Sequence, residues 1–186
     1  MSPDLTLVAG AIGVSVRVCL GAIFLHAAVG KLRNPSFVGA LAGYELLPRG
    51  ALVPVARALP IFELLLGGGL IAGVAPAVLA GLASLLLLVF AAAMVVNLRR
   101  GRRHIDCGCS FSGGGEPISY ALVTRNLVLA AAAGLAIAPA PVLGGLAYAA
   151  AAAGGAIFFA LYLLINVLLN LTSRHRSRGR AAWNPS

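Results

Sequence analysis

Acidic residues are nearly missing from this chain, which sets five aspartates and glutamates against fourteen lysines and arginines. Charge of either sign is sparse, at 10% of 186 residues. A soluble domain needs more polar surface than that, so a soluble globular fold is excluded. Cysteine is scarce as well, and three residues cannot staple a disulfide scaffold. The N-terminus lacks the basic start of a secretory signal: Asp4 is the one charge before Arg17, and the segment reads as the start of a mature helix. No internal repeat is visible, although runs such as Ala130–Ala133 and Ala149–Ala153 are of low complexity.

What remains is apolar. Hydrophobic residues make up 60% of the chain, the mean hydropathy is +0.97, and they come in long blocks, which makes lipid the expected solvent. The blocks predict an all-α, polytopic membrane helical bundle with five transmembrane helices at about 5–29, 52–74, 77–98, 121–138 and 142–171. Each meets the roughly 17–25 residues needed to cross the hydrocarbon core. Residues 1–172 then form one transmembrane domain, and 173–186 a basic, mobile tail. Ser36–Leu46, between Asn34-Pro35 and Leu47-Pro48, is expected to be a short interfacial or re-entrant helix. Gly67–Gly69 and Gly154-Gly155 are candidate points of close helix contact, since small residues let membrane helices approach, and a compositional bias towards Ala and Gly explains them equally well.

The net charge of +9 would suggest nucleic acid on a soluble protein. Here the basic residues flank the apolar blocks, so no nucleic-acid partner is expected and topology with anionic lipid accounts for them. Lys31, Arg33 and Arg49 fall in the first long loop, Arg99, Arg100, Arg102 and Arg103 in the second, and Arg174, Arg176, Arg178 and Arg180 in the tail. All three segments lie on one side of a five-helix bundle. The positive-inside rule puts that side, with the C-terminus, in the cytoplasm and the N-terminus outside.

The residues with chemistry cluster in the second loop. Cys107 and Cys109 flank Gly108, which removes the steric barrier to a tight turn, so the pair can close a small strained disulfide or act as a dithiol. Arg102 and Arg103 favour the nucleophilic thiolate, Asp106 opposes it locally, and His104 is positioned to shuttle protons. Two inert thiols are the plain alternative. Cys107, Cys109 and His104 also offer three metal ligands, but they lack the second cysteine pair of a structural zinc site, and no metal is expected.

Ionisable residues inside the blocks form a second signal. Arg17 and Glu63 each lie roughly 15–20 Å deep when counted from the loop-bearing side, and an intramembrane Arg17–Glu63 pair is expected, either as a clamp between helices or as a substrate or proton site. Cys19, at similar depth, reads as a packing residue. His26, Lys31, Arg125 and Asn126, with Arg57 and Asn97 nearby, are placed to line a polar vestibule under the cysteine loop; for Lys31 and Arg57 ordinary snorkelling and interfacial anchoring is the favoured reading.

The order of these features resembles the MauE family within the broader DoxX-like membrane proteins. The stretches that carry the resemblance are Gly30-Lys31-Leu32-Arg33-Asn34-Pro35, Gly43-Tyr44-Glu45-Leu46-Leu47-Pro48, Glu63, Arg102-Arg103-His104-Ile105-Asp106-Cys107-Gly108-Cys109, Pro117-Ile118-Ser119 and Arg125-Asn126. After Cys109 the chain departs, reading Ser110-Phe111-Ser112 in place of Phe-Gly. The resemblance implies a four-helix DoxX/MauE-like core within the bundle. It also implies a role in methylamine utilisation, in maturation of methylamine dehydrogenase, whose small subunit is rich in disulfides, beside a thioredoxin-like partner outside the cytoplasmic membrane. That role favours an outward-facing cysteine pair, whereas the arginines place the pair inside.

The leading expectation is an integral membrane thiol–disulfide redox protein or accessory factor, with a membrane quinone as candidate redox cofactor bound between helices one to four. A non-enzymatic scaffold or chaperone for the redox partner would depend on loop shape and not on the thiols. A small-molecule transporter using Arg17 and Glu63 is the third reading, and five helices without repeats weigh against it.

Overall fold

The computed structural model describes residues 3–102, 105, 117–136 and 144–182. Its elements are α1 (Pro3–Arg33), α2 (Phe37–Gly43), α3 (Arg49–Ala72), α4 (Pro76–Arg99), α5 (Tyr120–Leu135) and α6 (Gly145–Ala182). Four spans among the described residues are long and apolar enough to cross a membrane: Leu5–Arg33, Arg49–Ala72, Pro76–Arg99 and Gly145–Leu168. Their outward faces carry large apolar residues such as Leu65, Val78, Leu85 and Ile157, all exposed as lipid-facing side chains should be. The chain is thus a polytopic helical membrane bundle. The fourth long helix, α5, has sixteen residues, about 24 Å at the helical rise, and is shorter than the block at 121–138 suggested. Conversely α6 carries on as helix through Ala182, including residues assigned from sequence to a tail.

Local chemistry sets the boundaries. Asn34 begins the turn into α2: its Oδ1 accepts the Ser36 N–H at 3.0 Å and its carbonyl the Phe37 N–H at 3.1 Å. At the end of α3, Gly73 takes a left-handed φ of 71°. The Val74 N–H then reaches back to the Gly69 carbonyl and the Gly73 N–H to that of Leu70, a Schellman closure. Pro76 opens α4, where its missing N–H costs no helical hydrogen bond. Ser119 caps α5 by accepting the Leu122 N–H.

Helix α1 is the hub, packing on α3 and α6 and also touching α5, while α4 packs along α5. Two glycine crossings let the backbones approach. A Cβ on Gly21 would stand 2.7 Å from the Gly67 carbonyl oxygen, and one on Gly67 2.7 Å from that of Gly21. A Cβ on Gly155 of α6 would lie 2.5 Å from the Ser15 carbonyl oxygen. Ser15 Oγ also donates across this crossing to the Ala151 carbonyl at 2.8 Å. A core that includes Leu20, Phe24, Leu66, Leu70, Leu87 and Ala133 joins α1, α3, α4 and α5.

Candidate functional site

The second long loop is anchored on both sides of its cysteine segment. Arg103, His104, Cys107 and Cys109 themselves lie outside the described residues. Before them, Gly101 takes a left-handed φ of 76° that turns the chain off α4, and the Arg102 N–H donates to the Asn97 carbonyl at 3.0 Å. Ile105 is buried among Met94, Leu98, Leu122 and Val123, and its carbonyl accepts the Ile118 N–H at 3.0 Å. That hydrogen bond joins the two ends of the loop, so the Cys-Gly-Cys stretch belongs to a segment tied at its base to α4 and α5.

The base also docks on the turn after α2. Arg102 Nη2 lies 2.6 Å from Glu45 Oε2. Glu45 carries a positive φ of 49°, unusual for a residue with a side chain. The hydrogen bond from Arg102 holds the exposed Glu45 carboxyl below its usual range; desolvation opposes it, and the charges of Arg102 and Arg100 add to the lowering. Arg102, expected beside a thiolate, therefore has a carboxylate as its partner. The Ile105 side chain lies close to Gly43, 3.5 Å from where a Cβ would stand, and adds an apolar contact to the same docking.

Below the loop base lies a buried ion pair. Lys31 Nζ, from the last turn of α1, donates to Glu63 Oε1 at 2.7 Å and to Oε2 at 2.9 Å. The two side chains are 3% and 0% exposed. The ammonium also lies 5.4 Å from the centre of the Phe90 ring, within cation–π range. Isolated charges are costly in such a setting, and short paired hydrogen bonds offset that cost. The expected partner of Glu63 was Arg17. The structure gives the carboxylate to Lys31 instead, and half-buried Arg17 makes no ion pair among the described residues.

Lys31 also borders a partly open cavity of about 290 Å³ lined by residues of α1, α2, α3, α4 and α5. Its walls are apolar, with Phe37 and Leu41 of α2, Leu59 of α3, and Phe90 and Met94 of α4 among them. Tyr44 adds a phenol, and Lys31, Arg125 and Asn126 supply the polar positions. Arg125 Nη1 donates to Asn166 Oδ1 of α6 at 2.6 Å, and its guanidinium lies 5.7 Å from the Tyr162 ring. Asn126 Nδ2 donates to the Leu122 carbonyl at 2.8 Å. Of the four residues assigned to a vestibule, Lys31, Arg125 and Asn126 line this one cavity. His26 does not; it sits edge-on to Phe159 of α6, 6.0 Å between ring centres.

Sequence reasoning missed the aromatic and aliphatic walls, because Phe90 reads as an ordinary lipid-facing residue until α2, which carries Phe37 and is capped by Tyr44, meets it across the same cavity. Asn97, near the same end of α4, is fully buried and donates to the Ala93 carbonyl at 3.1 Å, and its Oδ1 has no hydrogen-bond partner among the described residues. Cys19 is a half-buried free thiol in α1. No group of three metal-ligating side chains occurs among the described residues.

The family profile described as methylamine utilisation protein MauE matches residues 8–139. A Paracoccus denitrificans protein named methylamine utilization protein MauE is 39% identical over 175 residues, covering 89% of this chain and 94% of its own length. A protein of the same name from Paracoccus versutus is 42% identical over 167 residues, covering 88% and 90%. Another, from Methylorubrum extorquens, is 41% identical over 145 residues, covering 75% and 78%. No solved structure matches the chain.

Proposed function

The chain belongs to the MauE family, and on that footing we propose that it is an integral membrane thiol–disulfide redox protein, or the accessory factor of one, working with a thioredoxin-like partner. Family membership makes it a multi-pass membrane protein of methylamine utilisation. The finer reading adds that it serves the maturation of methylamine dehydrogenase. Cys107 and Cys109 are its redox pair, Arg103 favours the thiolate and His104 moves the proton.

The observation that carries this reading is the Ile105–Ile118 hydrogen bond, which ties the segment holding Cys107 and Cys109 to the bundle. A Cys-Gly-Cys stretch on a tethered loop presents its sulfurs to a partner at lower ordering cost than a free tail. Replacing both cysteines with serine in a methylamine-growing host tests it. The expected result is loss of methylamine-dependent growth with unchanged amounts of folded membrane protein. Full growth of that variant removes the thiols from the function.

One observation favours a second reading, a membrane scaffold that recruits the redox partner without thiol chemistry. Arg102 is engaged by Glu45 and so shapes the loop base. On that reading Glu45→Ala is more damaging than the double serine variant.

A further inference from the structure

The cavity below the loop base has a composition that fits one class of ligand. Its walls combine the rings of Phe37, Tyr44 and Phe90 with aliphatic side chains, and its polar groups are Lys31, Arg125, Asn126 and the Tyr44 phenol. Val89 of α4 and Leu46, both exposed on the outside of the bundle, form part of its border, so a ligand dissolved in lipid reaches it sideways. At about 290 Å³ it matches the low end of pockets that hold a compact small molecule. A single substituted ring fits that space, whereas a two-chain phospholipid does not.

We propose that this cavity binds the head group of a lipid-soluble quinone, with the apolar tail leaving past Val89 and Leu46. The inference rests on the redox reading above for its purpose, but on the cavity alone for its chemistry. A quinone ring is flat and apolar and stacks on aromatic walls. Its two carbonyl oxygens accept hydrogen bonds, and its reduced form donates through two hydroxyls.

Asn126 is matched to both forms. Its carboxamide nitrogen carries two hydrogens, of which one goes to the Leu122 carbonyl. The other can serve a quinone carbonyl, and its Oδ1 can accept a hydroquinone hydroxyl. The Arg125 guanidinium favours electron density gathering on the ring oxygens, while the Lys31 ammonium is already balanced by Glu63. The stoichiometry agrees with a dithiol. When two S–H bonds break and one S–S bond forms at Cys107 and Cys109, two electrons and two protons are released. One quinone takes up that number to become a hydroquinone.

The test uses full-length protein in nanodiscs of zwitterionic phospholipid and a decyl-tailed azido-benzoquinone as photolabel, with adducts mapped by mass spectrometry. Labelling is expected on α2, α3 and α4 at cavity residues, with competition by decyl-benzoquinone and none by oleate. Ala93→Phe and Ala40→Phe, which fill the cavity from two different helices, each lower labelling at least tenfold. Labelling that persists in both variants while they elute as folded protein overturns the site. Equal competition by oleate makes it a fatty-acyl site and also overturns the proposal. The double serine variant of Cys107 and Cys109 labels like the parent protein. If that variant also supports methylamine growth, the redox reading fails while the quinone site stands; if the parent fails to label yet needs its thiols, the site fails alone.

Discussion

Lys31 and Arg17 show how a single side chain's partner depends on helix register. Glu63 stands out in the sequence as a carboxylate in an apolar block, and its need for a cation follows from the cost of burying it. Choosing Arg17 assumed that α1 and α3 end at the same level. The contact of Gly21 with Gly67 fixes a different offset. From that contact α1 runs about 18 Å to Arg33 and α3 about 27 Å back to Arg49 at the helical rise. The first turns of α3 therefore project past the end of α1, which brings Glu63 level with the long, back-leaning stem of Lys31. Nothing in composition or spacing gives that offset. Glu63→Gln leaves the Lys31 ammonium without its counter-charge and should cost about 3–5 kcal/mol. Thermal unfolding followed by size-exclusion in detergent reads the effect. A Lys31→Met, Glu63→Met double variant should recover most of the loss, and equal instability of the double and single variants would show that charge compensation is not what holds this point.

At the scale of elements, the helices were legible because their apolar blocks are long and punctuated by Asn34-Pro35, Pro48, Pro76 and Pro117. The walls of the cavity were not, because α2 is only seven residues long and its role as a roof comes from what lies beneath it. The glycine crossings were half legible. Gly67 and Gly155 sit in conspicuous glycine runs, whereas Gly21 is a single glycine that its sequence neighbours do not mark. Gly21→Ala puts a methyl 2.6 Å from Ile71 Cγ1 as well as against the Gly67 carbonyl, and overpacking of this kind costs about 1–3 kcal/mol. Gly68→Ala meets nothing within 4 Å and gains up to about 1 kcal/mol of helix propensity. A melting series in detergent should place the first variant below the parent and the second at or above it; reversed order would mean that α1 and α3 do not cross there.

For the molecule as a whole, orientation decides which cellular compartment meets the cysteine loop. The turn between α3 and α4 at Gly73–Ala75 carries no basic residue, while Lys31, Arg33, Arg49, Arg99, Arg100 and Arg102 gather at the other side. In a background without native cysteines, Val74→Cys is expected to react with an impermeant maleimide in intact cells, and Ser36→Cys only after permeabilisation. The opposite pattern would turn the loop outward and favour exchange with a partner outside the membrane. The bundle also has a temporal side. Helix α6, synthesised after α1 to α5, seats its Gly155 on Ser15 and Val18 of α1. That groove on α1 waits through the insertion of every intervening helix, so the bundle cannot close before α6 has been made. A stalled or shortened translation product would leave the groove facing lipid, a ready mark for membrane quality control.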